Sequence, residues 1–229
     1  MKKYIPNIIT CSNLVSGCVA TVFALGGDAS LALLWIIIGA VFDFFDGMSA
    51  RLLSVSSPIG KELDSLADDV TFGVAPACIV FNFLSGIHQH NVFFPFIAFL
   101  IAAFSAYRLA KFNLDERQTT SFIGLPTPAN ALFWGALIVS MGDIQSSPYL
   151  VGLVVVLIFL SCYLLVAELP LFALKFKHWG WKGNEVKYIY ILSSAAMIVL
   201  SLVLGLGVIG IAAAIAWYVL LSAATCKKN

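Results

Sequence analysis

Charge is scarce in this sequence. Its 229 residues include 13 basic and 12 acidic side chains, so charged residues make up 11% of the chain and hydrophobic residues 61%. Soluble domains are about 45–50% apolar and about 25% charged. We therefore exclude a soluble globular domain, and the mean hydropathy of +0.98 indicates that lipid is the solvent for most of the chain.

Paired cysteines and internal repeats are also missing. The five cysteines show no paired spacing, and four of them lie in apolar runs, where free cysteine behaves as a small hydrophobe. Structural disulfides and a zinc site are thereby disfavoured. We find no low-complexity tract either, and we expect one integral membrane domain over 1–229, with its core at about 5–175 and a C-terminal helix pair at about 187–225.

Apolar runs that can cross a bilayer dominate the sequence. A transmembrane helix needs about 17–25 mainly apolar residues, and we find eight candidates, at 8–26, 31–53, 66–85, 92–111, 128–142, 149–172, 187–205 and 206–225. The fifth run is short, and only the glycines of GLGVIG divide the last two, so six to eight spans are expected. A signal peptide is a competing interpretation of the first run, but further spans follow at once and no clear cleavage site is present. The predicted fold is an all-α membrane bundle of about eight helices.

The basic residues favour one orientation of this bundle. Lys and Arg collect on the cytoplasmic side of membrane proteins. With eight spans and the N-terminus inside, all 13 basic residues fall in internal segments or at the internal ends of helices. We therefore expect both termini in the cytoplasm, in a multi-pass protein of the cell membrane. The stretch KFKHWGWKGNEVK at 175–187 mixes basic and tryptophan residues, which is typical of anchoring to lipid headgroups and not of nucleic-acid binding.

Half of the acidic residues lie in one stretch, DFFDGMSARLLSVSSPIGKELDSLADD at 43–69. Asp43 and Asp46 are three positions apart, and Asp64 and Asp68 are four apart, so each pair shares a helix face. A short internal connection joins the second and third runs, which lets the two pairs converge in the cytoplasmic half of the membrane. A solvated loop does not explain acids inside an apolar run, because intramembrane acids are costly and usually functional.

Carboxylates gathered at low dielectric repel one another, and a divalent cation removes that repulsion. Hard oxygen ligands suit Mg²⁺, Mn²⁺ or Ca²⁺, and carboxylates with substrate phosphates are the usual Mg²⁺ arrangement. Two ions on shared aspartates can clamp a pyrophosphate during an in-line displacement. Arg51 is on the same stretch and can bind phosphate oxygens with two hydrogen bonds. Asp69 is rotated ~100° from Asp68 on a helix, and we leave it out of the metal set.

At every position the stretch resembles the signature of the CDP-alcohol phosphotransferases, D-x2-D-G-x2-A-R-x8-G-x3-D-x3-D. The matching residues are Asp43, Asp46, Gly47, Ala50, Arg51, Gly60, Asp64 and Asp68. The resemblance implies transfer of a substituted phosphoryl group from a CDP-linked donor to an alcohol, with release of CMP. It also implies two divalent cations, Mg²⁺ or Mn²⁺, held by Asp43, Asp46, Asp64 and Asp68, with Asp68 as general base on the acceptor hydroxyl.

The resemblance implies a donor-binding set as well. Arg51 would bind the diphosphate, Gly47 would let the cytidine pack against the helix, and Ser57 stands where the family often has a small hydroxyl residue. Asn7 and Thr10 fall where related enzymes contact the nucleotide from the first helix, although Pro-Asn followed by Thr is also typical of a helix N-terminus. The set expected to bind the donor is Asn7, Thr10, Asp43, Gly47, Arg51 and Ser57.

Three further stretches resemble the membrane-embedded phosphatidylserine synthases of this family: PNIITCSNLVSG (6–17), YRLAKFN (107–113) and SFIGLPTPANA (121–131). The resemblance covers most of residues 5–131 and implies CDP-diacylglycerol as donor, L-serine as acceptor, an active site facing the cytoplasm, and a homodimer. Serine brings a carboxylate, for which Arg108 and Lys111 are candidate partners. Both residues also fit the role of anchors whose side chains extend to the membrane–water interface. Asn130 stands where the family more often has a small residue, so the resemblance does not define the details of the acceptor pocket.

Other functions remain alternatives at this point. Glycerol 3-phosphate or inositol phosphate would use the same chemistry, but their phosphate calls for a denser basic cluster than Arg108 and Lys111 provide. A divalent-cation transporter or channel would carry acids on several helices along a path, whereas here they lie on two adjacent helices at one depth. A catalytically inactive scaffold would have lost signature residues, and none is replaced.

Overall fold

The computed structural model describes residues 4–55, 57–87, 92–114, 122–142, 148–172, 174, 180–181 and 183–225. These residues contain eight continuous helical stretches. Six of them are α1 (Ile5–Leu25), α2 (Ala29–Leu52), α6 (Thr127–Met141), α7 (Pro148–Val166), α8 (Glu185–Val203) and α9 (Ile209–Thr225). The third stretch joins α3 (Pro58–Asp68), a π-helical segment (Asp69–Val74) and α4 (Ala75–Ile87), and the fourth joins a 3₁₀ segment (Phe94–Phe99) and α5 (Leu100–Leu114).

The predicted all-α bundle of about eight helices is confirmed. By length and composition, six of the described helical stretches can cross a membrane, and α6 and α9 are shorter apolar helices. Two stretches named above are only partly described. Residue 121 of SFIGLPTPANA and residues 175–179 and 182 of KFKHWGWKGNEVK lie outside the described residues.

The third stretch begins earlier than the hydropathy pattern predicts. Hydropathy places a connection at 54–65, whereas the helix starts at Pro58, and the Gly60 backbone N–H donates to Ser57 Oγ at 3.0 Å. An N-cap serine followed by proline is a strong helix start. Hydropathy overlooks these first turns because they are polar. As a result, Asp64 and Asp68 both lie well inside one helix.

The two faces of α2 have different surroundings. Its exposed large side chains recur every three or four residues, at Leu31, Leu34, Ile37, Val41, Phe44 and Phe45. The buried residues of the helix include Ile36, Gly39 and Asp46. In a bilayer the exposed apolar stripe contacts lipid. Asp46 therefore points into the bundle and away from the acyl chains.

The interior is built around the π-helical segment. Phe72 is fully buried there, in a cluster that includes Ile36 of α2, Trp134 of α6 and Ile158 of α7. The helices α8 and α9 pair with each other, and α9 packs on α6. Two short antiparallel strands, β1 (Phe122–Ile123) and β2 (Pro170–Leu171), pair with each other and link the N-terminal end of α6 to the C-terminal end of α7.

Candidate active site

Three aspartates from two helices meet at one point. Asp43 of α2 and Asp64 and Asp68 of α3 each place a carboxylate oxygen within 4.8 Å of the others. Asp68 is 9% exposed, and the other two are half-buried. The connection between α2 and α3 is short, so the helices run in opposite directions and their acids reach the same depth. The structure thus brings together three of the four aspartates expected to bind metal.

Asp46 lies beside this group. It is 6% exposed, and its carboxylate is within electrostatic range of Asp43 and Asp64. Thr10 of α1 lies next to it, while the Thr10 hydroxyl donates to the Pro6 carbonyl at 3.0 Å. Four acids therefore occupy one region, with Asp46 on the side that faces α1.

The carboxylate oxygens of this region fit a divalent cation. Asp46 Oδ2 and Asp64 Oδ1 are enclosed by protein and have no hydrogen-bond partner. Buried polar atoms in native proteins nearly always have partners, and an unpaired anionic oxygen is especially costly. Carboxylate oxygens are the ligands that Mg²⁺, Mn²⁺ and Ca²⁺ prefer. A cation among these oxygens would supply the partner that the protein itself does not.

A cleft of about 270 Å³ opens beside the aspartates. This volume is close to the lower end of the ~300–1,000 Å³ found for small-molecule sites, and it suits a headgroup better than a whole lipid. Residues from three helices line it: Asn7 and Thr10 of α1, Asp46 and Gly47 of α2, and Gly60 and Asp64 of α3, together with the N-cap Ser57. Four residues of the predicted donor-binding set, Asn7, Thr10, Gly47 and Ser57, therefore share one cleft.

Gly47 leaves part of this cleft open. A Cβ at this position would meet only Arg51 Nη1 at 3.7 Å, which is ordinary van der Waals contact. Glycine in a helix interior costs ~0.5–1 kcal/mol relative to alanine. Folding therefore gives no reason for a glycine at this position, and the missing side chain matters only for what enters the cleft.

Arg51 lies in the last turn of α2, one turn after Gly47. Its side chain is exposed, and within the described part of the chain it has no hydrogen bond or ion pair. Its guanidinium lies next to the Gly47 backbone. Arg51 does not line the cleft itself, but it can bind an anion beside Gly47 without first breaking an internal ion pair.

The two candidate acceptor cations differ in their surroundings. Arg108 is 7% exposed, lies within electrostatic range of Asp68 and Tyr218, and has an enclosed Nε without a hydrogen-bond partner. Lys111 Nζ lies 3.6 Å from Glu168 Oε1, with the two side chains 34% and 65% exposed. Arg108 thus lies within electrostatic range of Asp68, and Lys111 lies in a partly exposed ion pair.

A family model described as CDP-alcohol phosphatidyltransferase matches residues 3–224. The chain belongs to the CDP-alcohol phosphatidyltransferase family. The CDP-diacylglycerol–serine O-phosphatidyltransferase of Bacillus subtilis (strain 168) is 40% identical over 130 residues, which cover 55% of this chain and 70% of that protein. Proteins of the same name from Helicobacter pylori (strain J99) and Saccharomyces cerevisiae (strain S288c) are 36% and 42% identical over 129 and 103 residues. The matched residues cover 56% and 41% of this chain, and 54% and 36% of those proteins.

Two residues near the candidate site residues of this CDP-alcohol phosphatidyltransferase are absent from the set predicted from the sequence. Asn13 of α1 is fully buried, and its Nδ2 donates to Asp68 Oδ1 at 3.0 Å. Tyr218 of α9 lies near Arg108, and its hydroxyl donates to the Phe172 carbonyl at 2.8 Å. Asn13 follows Thr10 by three positions and so shares its helix face, which is a signal in the sequence. No local pattern indicates the position of Tyr218, because it depends on how α9 packs.

Proposed function

We propose that this chain transfers the phosphatidyl group of CDP-diacylglycerol to the hydroxyl of L-serine, giving phosphatidylserine and CMP. The observation that carries the proposal is the meeting of Asp43, Asp64 and Asp68 within 4.8 Å, beside a cleft that Gly47 leaves open. The family match and the names of the relatives support the same chemistry.

Two divalent cations, Mg²⁺ or Mn²⁺, belong to this proposal. Asp43, Asp46, Asp64 and Asp68 would hold them, with Asp43, Asp64 and Asp68 as the three acids that meet within 4.8 Å. The unpaired oxygens of Asp46 and Asp64 support this assignment. Bound ions of this kind neutralise the carboxylates and stabilise the charge that develops on a transferring phosphoryl group.

The donor headgroup occupies the cleft. Asn7, Thr10 and Ser57 contact the nucleotide, and Gly47 lets it approach the helix backbone. Arg51 donates to the diphosphate, where charge-assisted and bidentate hydrogen bonds are strongest. The acyl chains stay on the lipid side of the bundle, since the exposed face of α2 next to the acids is apolar.

The acceptor reacts at Asp68. As the serine oxygen forms its bond to the phosphorus of the phosphatidyl group, Asp68 takes the hydroxyl proton and the bond from phosphorus to the CMP oxygen breaks. Positioning and electrostatic stabilisation supply most of the rate enhancement in such transfers. Arg108 binds the serine carboxylate, for which its planar guanidinium is suited. Lys111 contributes less because Glu168 already neutralises it.

The active site faces the cytoplasm of a multi-pass protein in the cell membrane. Five described basic residues support this orientation: Arg51, Lys61, Arg108, Lys111 and Lys187 lie in the segments, or in the helices next to them, that the eight-span arrangement places in the cytoplasm. Positive residues concentrate on the cytoplasmic side. We include a homodimer in the proposal because the family resemblance implies it, and light scattering of the detergent-purified protein measures its mass.

The test is an acceptor panel with purified protein, CDP-diacylglycerol and Mn²⁺ or Mg²⁺. L-serine, glycerol 3-phosphate and inositol phosphate are offered separately, and CMP and lipid products are measured by mass spectrometry. We expect serine-dependent CMP release with phosphatidylserine as product, abolished by EDTA. CMP release with glycerol 3-phosphate or inositol phosphate, and not with serine, refutes serine as the acceptor. Ion flux in liposomes without CMP release refutes the enzyme assignment.

Gly47→Ala should separate donor binding from folding. The added methyl group meets no protein atom closer than 3.7 Å, so the melting temperature should stay the same or rise. The KM for CDP-diacylglycerol should rise about 10-fold, because the methyl group occupies space at the helix backbone that the headgroup uses. Thermal unfolding in detergent and steady-state kinetics measure both quantities.

Gly39→Ala is the matched variant on the same helix. A Cβ at Gly39 would lie 2.5 Å from Thr71 Cγ2, so this substitution should lower the melting temperature. An unchanged donor KM in Gly47→Ala would show that Gly47 does not contact the headgroup.

A further inference from the structure

One side chain outside the family signature contacts the proposed general base directly. Asn13 in the third turn of α1 is fully buried, and its Nδ2 donates to Asp68 Oδ1 at 3.0 Å. Among the described residues no other hydrogen bond to the Asp68 carboxylate is present. The direction of the Asp68 carboxylate therefore depends on this amide and on whatever the remaining oxygen binds.

A second hydrogen bond holds Asn13 in place. The hydroxyl of Thr71, in the π-helical segment just after Asp68, donates to the Asn13 backbone carbonyl at 3.0 Å. Asn13 thus donates to the residue just before this segment and accepts from a residue inside it. The π-helical turn widens the backbone at this point, and its Thr71 hydroxyl faces α1.

Glycines let the three segments approach closely. A Cβ at Gly39 of α2 would lie 3.0 Å from Asn13 Oδ1, and a Cβ at Gly17 of α1 would lie 2.7 Å from Thr71 Cα. The backbones of α1, α2 and the π-helical segment therefore surround the amide on several sides. A side chain enclosed in this way has little freedom to change rotamer.

We propose that Asn13 is a positioning residue for Asp68. By donating to Oδ1, the amide fixes the plane of the carboxylate and leaves Oδ2 as the oxygen that takes the serine proton. Catalytic groups must stay within about 0.5 Å and 10–20° of their productive geometry, and a buried supporting hydrogen bond provides that. This inference rests on the proposed function, since it takes Asp68 to be the general base.

The Asn13–Asp68 hydrogen bond also involves the candidate metal site, because Asp68 is one of the three clustered acids. Partners that orient a ligating carboxylate typically contribute 10–100-fold to metal affinity or activity. Asn13 should therefore affect two independent quantities, the turnover number and the affinity for Mn²⁺.

The test is a double-mutant cycle between Asn13→Leu and Asp68→Asn. Asn13→Leu keeps the approximate volume and removes the donor, and we expect kcat to fall 10–100-fold while both substrate KM values change less than threefold. The dissociation constant for Mn²⁺, measured by electron paramagnetic resonance without substrate, should rise about 10-fold. In the Asp68→Asn background the Asn13 substitution should change neither quantity further, because coupled residues are non-additive.

Ser16→Ala is the matched control. Ser16 is buried in the next turn of α1, and its hydroxyl donates to the Ser12 carbonyl at 2.8 Å and not to Asp68. We expect it to stay within threefold of the parent in kcat and in Mn²⁺ affinity. Equal losses in Ser16→Ala and Asn13→Leu, or effects that multiply in the double variant, would overturn the proposal.

Asn13→Asp covers the case in which leucine disturbs folding. Aspartate keeps the shape of the amide, loses the donor and places a second negative charge next to Asp68. Its kcat should fall at least as far as that of the leucine variant, and a turnover number within threefold of the parent would overturn the proposal. The Mn²⁺ measurement needs no serine, so it tests the Asn13–Asp68 coupling even if the acceptor panel identifies another alcohol.

Discussion

Asp68→Asn should lower kcat for serine-dependent CMP release by about 10³-fold. A positioned general base contributes roughly 10²–10⁴-fold, and the amide cannot accept the serine proton. Asn keeps the size of the side chain, and the assay uses saturating Mn²⁺ because Asp68 is also one of the three acids proposed to hold a cation. Purified protein in detergent, assayed for CMP at saturating CDP-diacylglycerol and serine, gives the turnover number directly.

The neighbouring Asp69→Asn is a closely matched control. Asp69 carries the same substitution one position later, but its Oδ1 lies beside Gly73 and it is not part of the three-acid group. We expect its kcat to remain within threefold of the parent. Turnover at the parental rate in Asp68→Asn, or an equal loss in both variants, would remove Asp68 from the role of base.

The helices were largely predictable because hydrophobic length is a strong signal in a membrane chain. Each of the eight apolar runs corresponds to a described helical stretch. The error at the third run has a physical cause, since the turns from Pro58 to Asp64 are polar and amphipathic and hydropathy does not detect them. Their signal is the N-cap Ser57 followed by Pro58.

The meeting of the aspartates was predictable for a related reason. Spacings of three and four place Asp43 with Asp46, and Asp64 with Asp68, on single helix faces, and the short connection between α2 and α3 restricts how these helices can pack. The spacing does not show that Asp46 lies apart from the other three. That depends on α1, which places Thr10 next to it.

Contacts between distant helices could not be predicted. Asn13 and Asp68 are 55 positions apart, and Tyr218 and Phe172 are 46 apart. Their pairing results from close packing at Gly17 and Gly39 and from the docking of α9 on α6, which one sequence without relatives does not encode in any local pattern. Burial likewise separates Arg108 from Lys111, although the two share a helix face.

Arg108→Gln should reduce kcat/KM for serine about 10²-fold, mainly through KM. Hydrogen bonds to charged groups contribute ~1.5–3 kcal/mol, and glutamine cannot form the bidentate ion pair that a carboxylate makes with guanidinium. Lys111→Gln should raise the serine KM less than threefold, because its ion pair with Glu168 is partly exposed and such pairs contribute ~0–1 kcal/mol. The KM for CDP-diacylglycerol should stay within threefold in both variants.

An acceptor without the carboxylate distinguishes recognition from structural support. Arg108 lies within electrostatic range of Asp68, so its loss can also slow the chemical step for any acceptor. Serinol, 2-amino-1,3-propanediol, keeps the amine and the hydroxyl of serine but has no carboxylate. If Arg108 binds that carboxylate, the parent should prefer serine over serinol by about 10²-fold, and Arg108→Gln should lose most of that preference, since the discriminating ion pair is gone. An equal decline for both acceptors would assign Arg108 to the support of Asp68 and leave the carboxylate to another residue.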